Sequence, residues 1–195
     1  MVKIALNGFG RIGKLALRRL IDNDISVAFI NDKNGDPDLF AHLLEFDTVH
    51  GRWSRSISND SVSLTVDNQK IPVLHEENIV NLPLDEIDIV IDCTGFFKSE
   101  QLLAPYFNKG VQKVIVSAPV KTGSVANLVY GVNHNIYDPN MHNIVTAASC
   151  TTNCLAPIVN VVHESLGIKH GSITTIHNVT NTQTIVDRPS MDFRR

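Results

Sequence analysis

The chain of 195 residues lacks several features that would place it in particular classes of protein. It has three cysteines, too few for a disulfide framework, and an odd count favours a reducing compartment. Its net charge of −3 gives no basic surplus for nucleic acid or for an anionic membrane. No apolar run approaches the roughly 20 residues of a membrane span, and the first four residues lead directly into a strand, leaving no room for a signal peptide. We therefore expect a cytoplasmic protein with no nucleic-acid or membrane partner.

What the sequence does contain is an alternation of strand and helix patterns. Strands are predicted at residues 2–6, 25–31, 87–92, 113–117 and 143–148. Helices are predicted over 11–21, from Asp36, before Gly110, and from Cys150 to Gly167. Period-two alternation between residues 54 and 74, with a turn at Asp67-Asn68, indicates an antiparallel excursion. The alternation predicts an α/β fold, a doubly wound parallel sheet of the Rossmann type.

Helical spacing also predicts which faces of the first two helices are buried. Asp36 is a good helix cap, and Pro37 suits the first helical position after it. The apolar residues at helical spacing are Ile12, Leu15, Ala16, Leu20 and Ile21 in the first helix, and Leu39, Phe40, Leu43 and Leu44 in the second. We expect both sets to face the core.

A glycine-rich turn joins the first strand to the first helix. Gly8, Gly10 and Gly13 fit the pattern G-x-G-x-x-G, in which the glycines allow a tight turn, approach of a pyrophosphate to the backbone, and close helix–strand packing. Asp32 lies 19 residues after Gly13, at the end of the second predicted strand. A carboxylate there accepts hydrogen bonds from a ribose diol and repels a 2′-phosphate. The pattern predicts a site for NAD rather than NADP, although Asp32 could also be an ordinary turn or capping aspartate.

A second candidate site begins with a thiol directly before a predicted helix. Cys150 follows a strand and opens the helix, where backbone N–H groups and the helix dipole favour a thiolate. His177 comes 27 residues later, at the end of another strand-like run, and could fold back as a proton acceptor. A buried structural cysteine beside an incidental histidine is the alternative. The polar neighbours of Cys150 favour the nucleophile and base, and we assign no metal site.

These motifs together resemble the family of phosphorylating glyceraldehyde-3-phosphate dehydrogenases. The segment 147–157, Ala-Ala-Ser-Cys-Thr-Thr-Asn-Cys-Leu-Ala-Pro, is similar to the catalytic segment of that family, and 7–13 matches its cofactor loop. Further motifs occur in the family's order and spacing: Val49-His50-Gly51, Cys93-Thr94-Gly95, Ser117-Ala118-Pro119 and Gly131-Val132-Asn133. The resemblance covers the whole chain.

The resemblance implies an activity and a set of site residues. The reaction is NAD-dependent oxidation of glyceraldehyde 3-phosphate, with inorganic phosphate as acceptor, through a thioester on Cys150 and with His177 as base. The implied cofactor contacts are Asn7, Gly8, Gly10, Arg11, Ile12, Gly13, Asp32, Thr94, Gly95 and Ser117. The implied substrate and phosphate contacts are Ser149, Thr151 and Thr180. Residues 181–184 and 42–53 look most like a subgroup associated with arsenic-resistance operons, for which arsenate would replace phosphate.

Domain organisation and close alternatives remain open at this point. We expect an NAD-binding domain at 1–149 and the incomplete beginning of a catalytic domain at 150–195. Family members run to about twice this length and form tetramers. The chain is therefore either a piece of a longer protein or a shorter product with an altered role. The alternatives are a non-catalytic NAD-binding module and an erythrose-4-phosphate dehydrogenase.

Overall fold

The computed structural model describes residues 2–120 and 123–177. The strands are β1 (Ile4–Asn7), β2 (Val27–Asn31), β3 (Ile57–Asn59), β4 (Ser63–Val66), β5 (Gln69–Leu74), β6 (Ile89–Asp92), β7 (Lys113–Val116), β8 (Ala126–Asn127) and β9 (Ile144–Thr146). The helices are α1 (Arg11–Asp22), α2 (Pro37–Glu45), α3 (Glu100–Asn108) and α4 (Cys150–Leu166). Single 3₁₀ turns occur at Ile79–Asn81 and His134–Ile136.

Within the described residues the strands form one sheet in the order β3-β4-β5-β2-β1-β6-β7-β9-β8. The pairs β2–β1, β1–β6, β6–β7 and β7–β9 are all parallel. The pairs β3–β4 and β4–β5 are antiparallel, whereas β5 pairs in parallel with β2. The predicted parallel sheet and its antiparallel excursion are both confirmed. The two outermost strands are short, with three residues in β3 and two in β8.

Apolar side chains cover both faces of this sheet. In β1, Ala5 belongs to a buried cluster with Leu103 and Tyr106 of α3, while the next residue, Leu6, belongs to a cluster on the other face with Leu17 of α1. Successive side chains of a strand point to opposite faces, so helices on both sides are required to exclude water. This is the doubly wound arrangement that the sequence predicts.

The predicted buried face of α1 is only partly correct. Ile21 is buried, and Ala16 and Leu20 pack against the buried cluster, as predicted. Ile12 is 53% exposed, while Lys14 and Arg18 are buried together with Leu17. Lys14 Nζ lies 2.9 Å from Asp47 Oδ2, and Arg18 Nε donates to the Leu44 carbonyl oxygen at 2.9 Å. Cations can be buried when they are paired in this way. The core-facing side of α1 is therefore centred one position away from the apolar stripe.

In α2 the predicted N-cap is confirmed, but the predicted buried face is only partly correct. The Asp36 carboxylate accepts a hydrogen bond from the Leu39 amide at 2.8 Å, as expected of an N-cap. Leu39 itself is 46% exposed, so its predicted burial is wrong, and Phe40, Ala41 and Leu44 form the buried face. Adjacent residues point about 100° apart around a helix, so Leu39 turns away when Phe40 faces the core. None of the helices within residues 2–120 and 123–177 has the length and apolar character needed to cross a membrane.

Candidate active site

The glycine loop at the end of β1 is tightly packed against the loop that follows β6. Gly8 has a φ of +92°, and a Cβ at that position would lie 2.5 Å from the backbone nitrogen of Thr94. A Cβ on Gly13 would lie 1.9 Å from the carbonyl oxygen of Gly8. At Gly10, by contrast, a Cβ would meet no atom within 4 Å. Two of the three glycines are thus required by the fold, whereas Gly10 borders open space at the start of α1.

Asp32 lies against this glycine loop. Its carboxylate accepts hydrogen bonds from the amides of Phe9, at 2.7 Å, and Asn34, at 3.0 Å. The neighbouring Lys33 pairs with Glu77 instead, with 2.7 Å between Nζ and Oε1. That ion pair raises the pKa of Lys33 and lowers the pKa of Glu77. Asp32 therefore presents a fixed negative charge beside the glycine loop, with Lys33 engaged elsewhere.

Thr94, Gly95 and Ser117 follow the next two strands at the same edge. The amide and hydroxyl of Thr94 both donate to Asp92 Oδ1, at 3.1 and 2.7 Å, and the Ser117 amide donates to the Asp92 carbonyl oxygen at 2.9 Å. Because β1, β2, β6 and β7 are parallel, the residues after their carboxyl ends share one edge of the sheet. Cys93 packs against the apolar cluster, and burial raises the pKa of its thiol to about 12.

Arg11 and Ile12 behave differently from the other predicted cofactor contacts. Arg11 Nη1 lies 3.1 Å from Asp47 Oδ2, and half of its side chain is exposed. Asp47 also accepts from the amides of Val49 and His50, both at 2.9 Å. The His50 amide and the Lys14 ammonium, with the Val49 amide, hold the pKa of this carboxyl far below its usual range. Ile12, the second residue of α1, is exposed and therefore accessible to a ligand.

Cys150 is the first residue of α4, and its thiol meets the imidazole of His177. The distance between Cys150 Sγ and His177 Nε2 is 3.3 Å. The hydrogen bond with His177 lowers the pKa of the Cys150 thiol, and backbone donors at the helix start act in the same direction against some burial. Both residues are exposed, and they line an open cleft of about 790 Å³. The arrangement can supply a thiolate and an adjacent proton acceptor at a surface that a small molecule can reach.

The residues before Cys150 fix the start of its helix. Ser149 caps α4 by accepting from the Thr152 amide at 3.1 Å, and its hydroxyl also lies 3.1 Å from Thr151 Oγ1. Ala148 has a φ of +55°, an unfavourable value for a residue with a side chain. Asn153 donates to the Ala147 carbonyl oxygen at 2.6 Å. Ser149 and Thr151 are therefore grouped beside the thiol, while the predicted contact Thr180 lies outside the described residues.

Comparison with known proteins identifies the family of the chain. The family described as glyceraldehyde 3-phosphate dehydrogenase, NAD binding domain, matches residues 2–100, and the C-terminal domain of the same enzyme matches 149–195. The chain belongs to the glyceraldehyde 3-phosphate dehydrogenase family. The first match gives NAD as the cofactor and a Rossmann domain as its binding unit, followed by the start of the C-terminal domain.

Curated relatives carry the same name. The chain is 48% identical to glyceraldehyde-3-phosphate dehydrogenase 3 of Nostoc sp., 44% identical to the enzyme of Geobacillus stearothermophilus and 41% identical to that of Mycoplasma pneumoniae. Each comparison covers 100% of this chain and 58% of the relative. The chain thus spans less than two thirds of the length of the dehydrogenases that it matches.

Sequence reasoning missed three residues beneath the edge of the sheet formed by the carboxyl ends of β1, β2, β6 and β7, which we call the cofactor edge; they are Asn31, Asp92 and Tyr106. Asn7 was predicted only as a contact, yet it is buried together with Asn31, Asp92 and Tyr106 in one hydrogen-bonded group. The available signal was weak, since a polar residue at the end of an apolar strand is common. Across residues 2–120 and 123–177, no group of three or more His, Cys, Asp and Glu side chains is arranged to hold a metal ion. The assignment of no metal stays a prediction.

Proposed function

We propose that this protein takes part in the NAD-dependent oxidation of glyceraldehyde 3-phosphate with phosphate to an acyl phosphate. The observation that carries the proposal is the 3.3 Å contact between Cys150 and His177 at the start of a helix that follows an NAD-binding domain. The names of the curated relatives support the same substrate. We assign the catalytic roles to Cys150 as nucleophile and His177 as base.

The residues at the cofactor edge fit NAD. Close packing at Gly8 and Gly13 leaves the loop backbone in a tight turn, and Gly10 leaves open space where a pyrophosphate could approach the first N–H groups of α1. We propose that Asp32, which lies against this loop, accepts the hydrogen bonds of the adenosine ribose. We propose that Asn7, Arg11, Ile12, Thr94, Gly95 and Ser117 complete this site. When bound, NAD supplies the acceptor for a hydride.

The chain's own residues carry out the remaining chemistry. The Cys150 thiolate adds to the aldehyde carbon and forms a tetrahedral hemithioacetal, whose oxygen the Cys150 amide can stabilise. His177, which has taken the proton of the Cys150 thiol, returns it to this oxygen to give the hydroxyl group. His177 then removes that proton as the carbon loses its hydride to NAD, which leaves a thioester on Cys150. Inorganic phosphate then attacks the thioester carbon and releases the acyl phosphate, and the Cys150 thiolate is restored.

The phosphate-binding groups define the substrate part of the proposal. Ser149 and Thr151 lie beside the thiol, and hydroxyl and N–H groups at a helix start suit an anion. We assign these two residues and Thr180 to phosphate groups of the substrate or the acceptor. Arsenate has the same shape and charge as phosphate, so we propose either anion as acceptor. We further expect the full-length protein to form a homo-tetramer.

Exchange of one thiol tests the proposal. Cys150→Ser is expected to reduce NADH formation from glyceraldehyde 3-phosphate, phosphate and NAD by several orders of magnitude, because a serine hydroxyl is not ionised near neutral pH. NAD binding, measured by calorimetry, should be unchanged. Cys154→Ser, one helical turn away, is the matched control and should retain activity. Substantial activity of Cys150→Ser would overturn the nucleophile assignment.

The same assay separates the alternatives. A faster reaction with erythrose 4-phosphate would assign that sugar phosphate as the substrate instead. NAD binding without turnover of either aldehyde would indicate a non-catalytic NAD-binding module. Comparison of phosphate with arsenate as the second substrate identifies the acceptor.

A further inference from the structure

A group of polar side chains is buried directly beneath the cofactor edge. We call Asn7, Asn31, Asp92 and Tyr106 the buried polar cluster; their exposed fractions are 4%, 2%, 0% and 0%. Burial of a carboxylate is costly unless other groups donate hydrogen bonds to it. We therefore expect such a cluster to fix the relative positions of the strand ends around it, which non-directional apolar contacts would not do.

The cluster links four elements through a continuous chain of hydrogen bonds. Asn31, at the end of β2, donates to Asn7 Oδ1 at 2.7 Å, and Asn7, at the end of β1, donates to the Tyr106 hydroxyl at 2.6 Å. Tyr106, on α3, donates to Asp92 Oδ2 at 2.8 Å. The ends of β1, β2 and β6 are thereby fixed relative to one another by side chains rather than by the ladder alone.

The second oxygen of Asp92 extends the chain to the loop above. It accepts from both the amide and the hydroxyl of Thr94, and the Thr94 hydroxyl oxygen accepts from the Phe96 amide at 3.1 Å. Thr94 is exposed, in contrast to the residue that holds it. Asp92 therefore transmits the position of the buried cluster to an exposed side chain on the cofactor loop.

Every hydrogen-bonding group of the cluster is satisfied. In the described part of the chain, no buried side-chain nitrogen or oxygen lacks a partner. Burial raises the pKa of Asp92, while the donors from Thr94 and Tyr106 act in the opposite direction. A fully connected network favours one arrangement over others, because any displacement leaves a buried polar atom unpaired.

We infer that Asp92 and Tyr106 are positioning residues of the NAD site, which hold Asn7 and Thr94 at a fixed separation across the cofactor crevice. The inference rests on the proposed function, since it takes Asn7 and Thr94 as cofactor contacts. Asp92 and Tyr106 lie too deep to touch the ligand themselves. They act through the two residues that they hold.

Tyr106→Phe tests the inference by removing one oxygen atom from the cluster. Asp92 then loses a donor and Asn7 loses an acceptor, so we expect NAD binding to weaken about tenfold. The matched control is Leu84→Ala, which removes a fully buried side chain from the same apolar cluster without touching the polar one. It should lower Tm at least as much as Tyr106→Phe and leave the Kd for NAD unchanged. Equal Kd values in the two variants would overturn the inference.

Hydrogen exchange provides a second readout that does not depend on NAD. The Thr94 amide is held by Asp92, so its exchange should speed up in Tyr106→Phe and stay unchanged in Leu84→Ala. If the unmodified chain fails to bind NAD, the proposed function fails, and the exchange rate still decides whether Tyr106 positions Thr94. Unchanged Thr94 exchange in Tyr106→Phe would contradict the inference in either case.

Discussion

The candidate site has two parts, the cofactor edge and the start of α4 with Cys150 and His177, which we call the thiol end. These two parts are built from different kinds of interaction. At the cofactor edge, side chains distant in sequence meet in the interior: Asn7 and Tyr106 are bonded to each other across 99 residues, and both are buried. The glycine loop above them tolerates no added Cβ at Gly8 or Gly13. Position is set there by packing and by a buried network.

At the thiol end, the contacts are local and exposed. None of the residues Cys150–Leu166 is buried. The position of Cys150 depends on the Ser149 cap, which accepts from the amide three residues later, and its thiol contacts His177, 27 residues later. Apolar side chains such as Ile158 and Val161 are 61% and 62% exposed. The difference suggests that substitutions at the cofactor edge act through the fold, whereas substitutions at the thiol end change reactivity with little effect on stability.

The largest effect that we expect is a difference in stability between alanine substitutions at two glycines of the same loop. Gly13→Ala places a Cβ 1.9 Å from the Gly8 carbonyl oxygen, and should reduce the free energy of unfolding by more than about 3 kcal/mol. Gly10→Ala is the control, with open space around its Cβ, and should cost about 1 kcal/mol or less while weakening NAD binding. Denaturant unfolding and calorimetry measure the two quantities. Similar losses of stability in both variants would contradict the difference in packing between Gly13 and Gly10.

At the thiol end, we expect a change in reactivity without a matching change in stability. His177→Asn removes the partner that lowers the pKa of Cys150, so the pKa rises and less thiolate exists at neutral pH. The rate of alkylation by iodoacetamide near neutral pH should fall, by less than about tenfold for each unit by which the pKa rises, because a more basic thiolate is also more nucleophilic. The midpoint of the pH profile of alkylation should move upward. His170→Asn is the control.

The same labelling experiment compares the three thiols. In the unmodified chain, Cys150 should react faster than Cys154, and Cys93 should react slowest because burial raises its pKa to about 12. Equal labelling of all three thiols would contradict the prediction that contacts at the start of α4 make Cys150 more reactive than the other two. An unchanged rate in His177→Asn would show that the 3.3 Å contact has no chemical role.

At the cofactor edge, we expect a smaller effect on the choice between NAD and NADP. Asp32→Gly removes a negative charge that would face a 2′-phosphate, and should narrow the preference for NAD over NADP by about tenfold or less. Glu77→Gln releases Lys33 and should shift the ratio in the same direction, but less. Binding titrations with both dinucleotides measure the ratio. Equal affinity of the unmodified protein for both would refute the role of Asp32.

The smallest effect compares two serine caps. Ser99 caps α3, which packs on the core, and Ser149 caps the exposed helix α4. Ser99→Ala should reduce the free energy of unfolding by about 1 kcal/mol. Ser149→Ala should change global unfolding less and instead alter the alkylation rate of Cys150. A larger loss of stability in Ser149→Ala would reverse the comparison.

The sequence is informative where the signal is local. Apart from the two-residue strand β8, which is not predicted, the order and type of the strands and helices follow from periodicity. The Asp36 cap and the end of α4 at Gly167 follow from residues at helix ends. The contact between Cys150 and His177 has the geometry expected of a nucleophile and base, while their catalytic roles stay a prediction.

The errors occur where partners come from far along the chain. The buried face of α1 differs from the prediction because Lys14 and Arg18 count as solvent-facing in any apolar pattern. Their burial becomes favourable through Asp47, which pairs with Lys14, and through the carbonyl oxygens at the end of α2, which accept from Arg18. The pairing of Asp92 with Tyr106 has the same origin, since a hydroxyl on α3 is needed before the carboxylate can be buried. Neither partner can be assigned from spacing alone.

The short strands at the two margins of the sheet have a consequence for association between copies of the chain. Exposed strand margins invite another chain to extend the sheet, and short margins present few backbone groups for that purpose. With three residues in β3 and two in β8, neither margin offers a long template. Aggregation of this protein should therefore proceed through the exposed apolar side chains of α4, such as Ile158 and Val161, and not through its strands. The aggregates should be clusters of folded molecules that keep their native strand content and bind no amyloid dye.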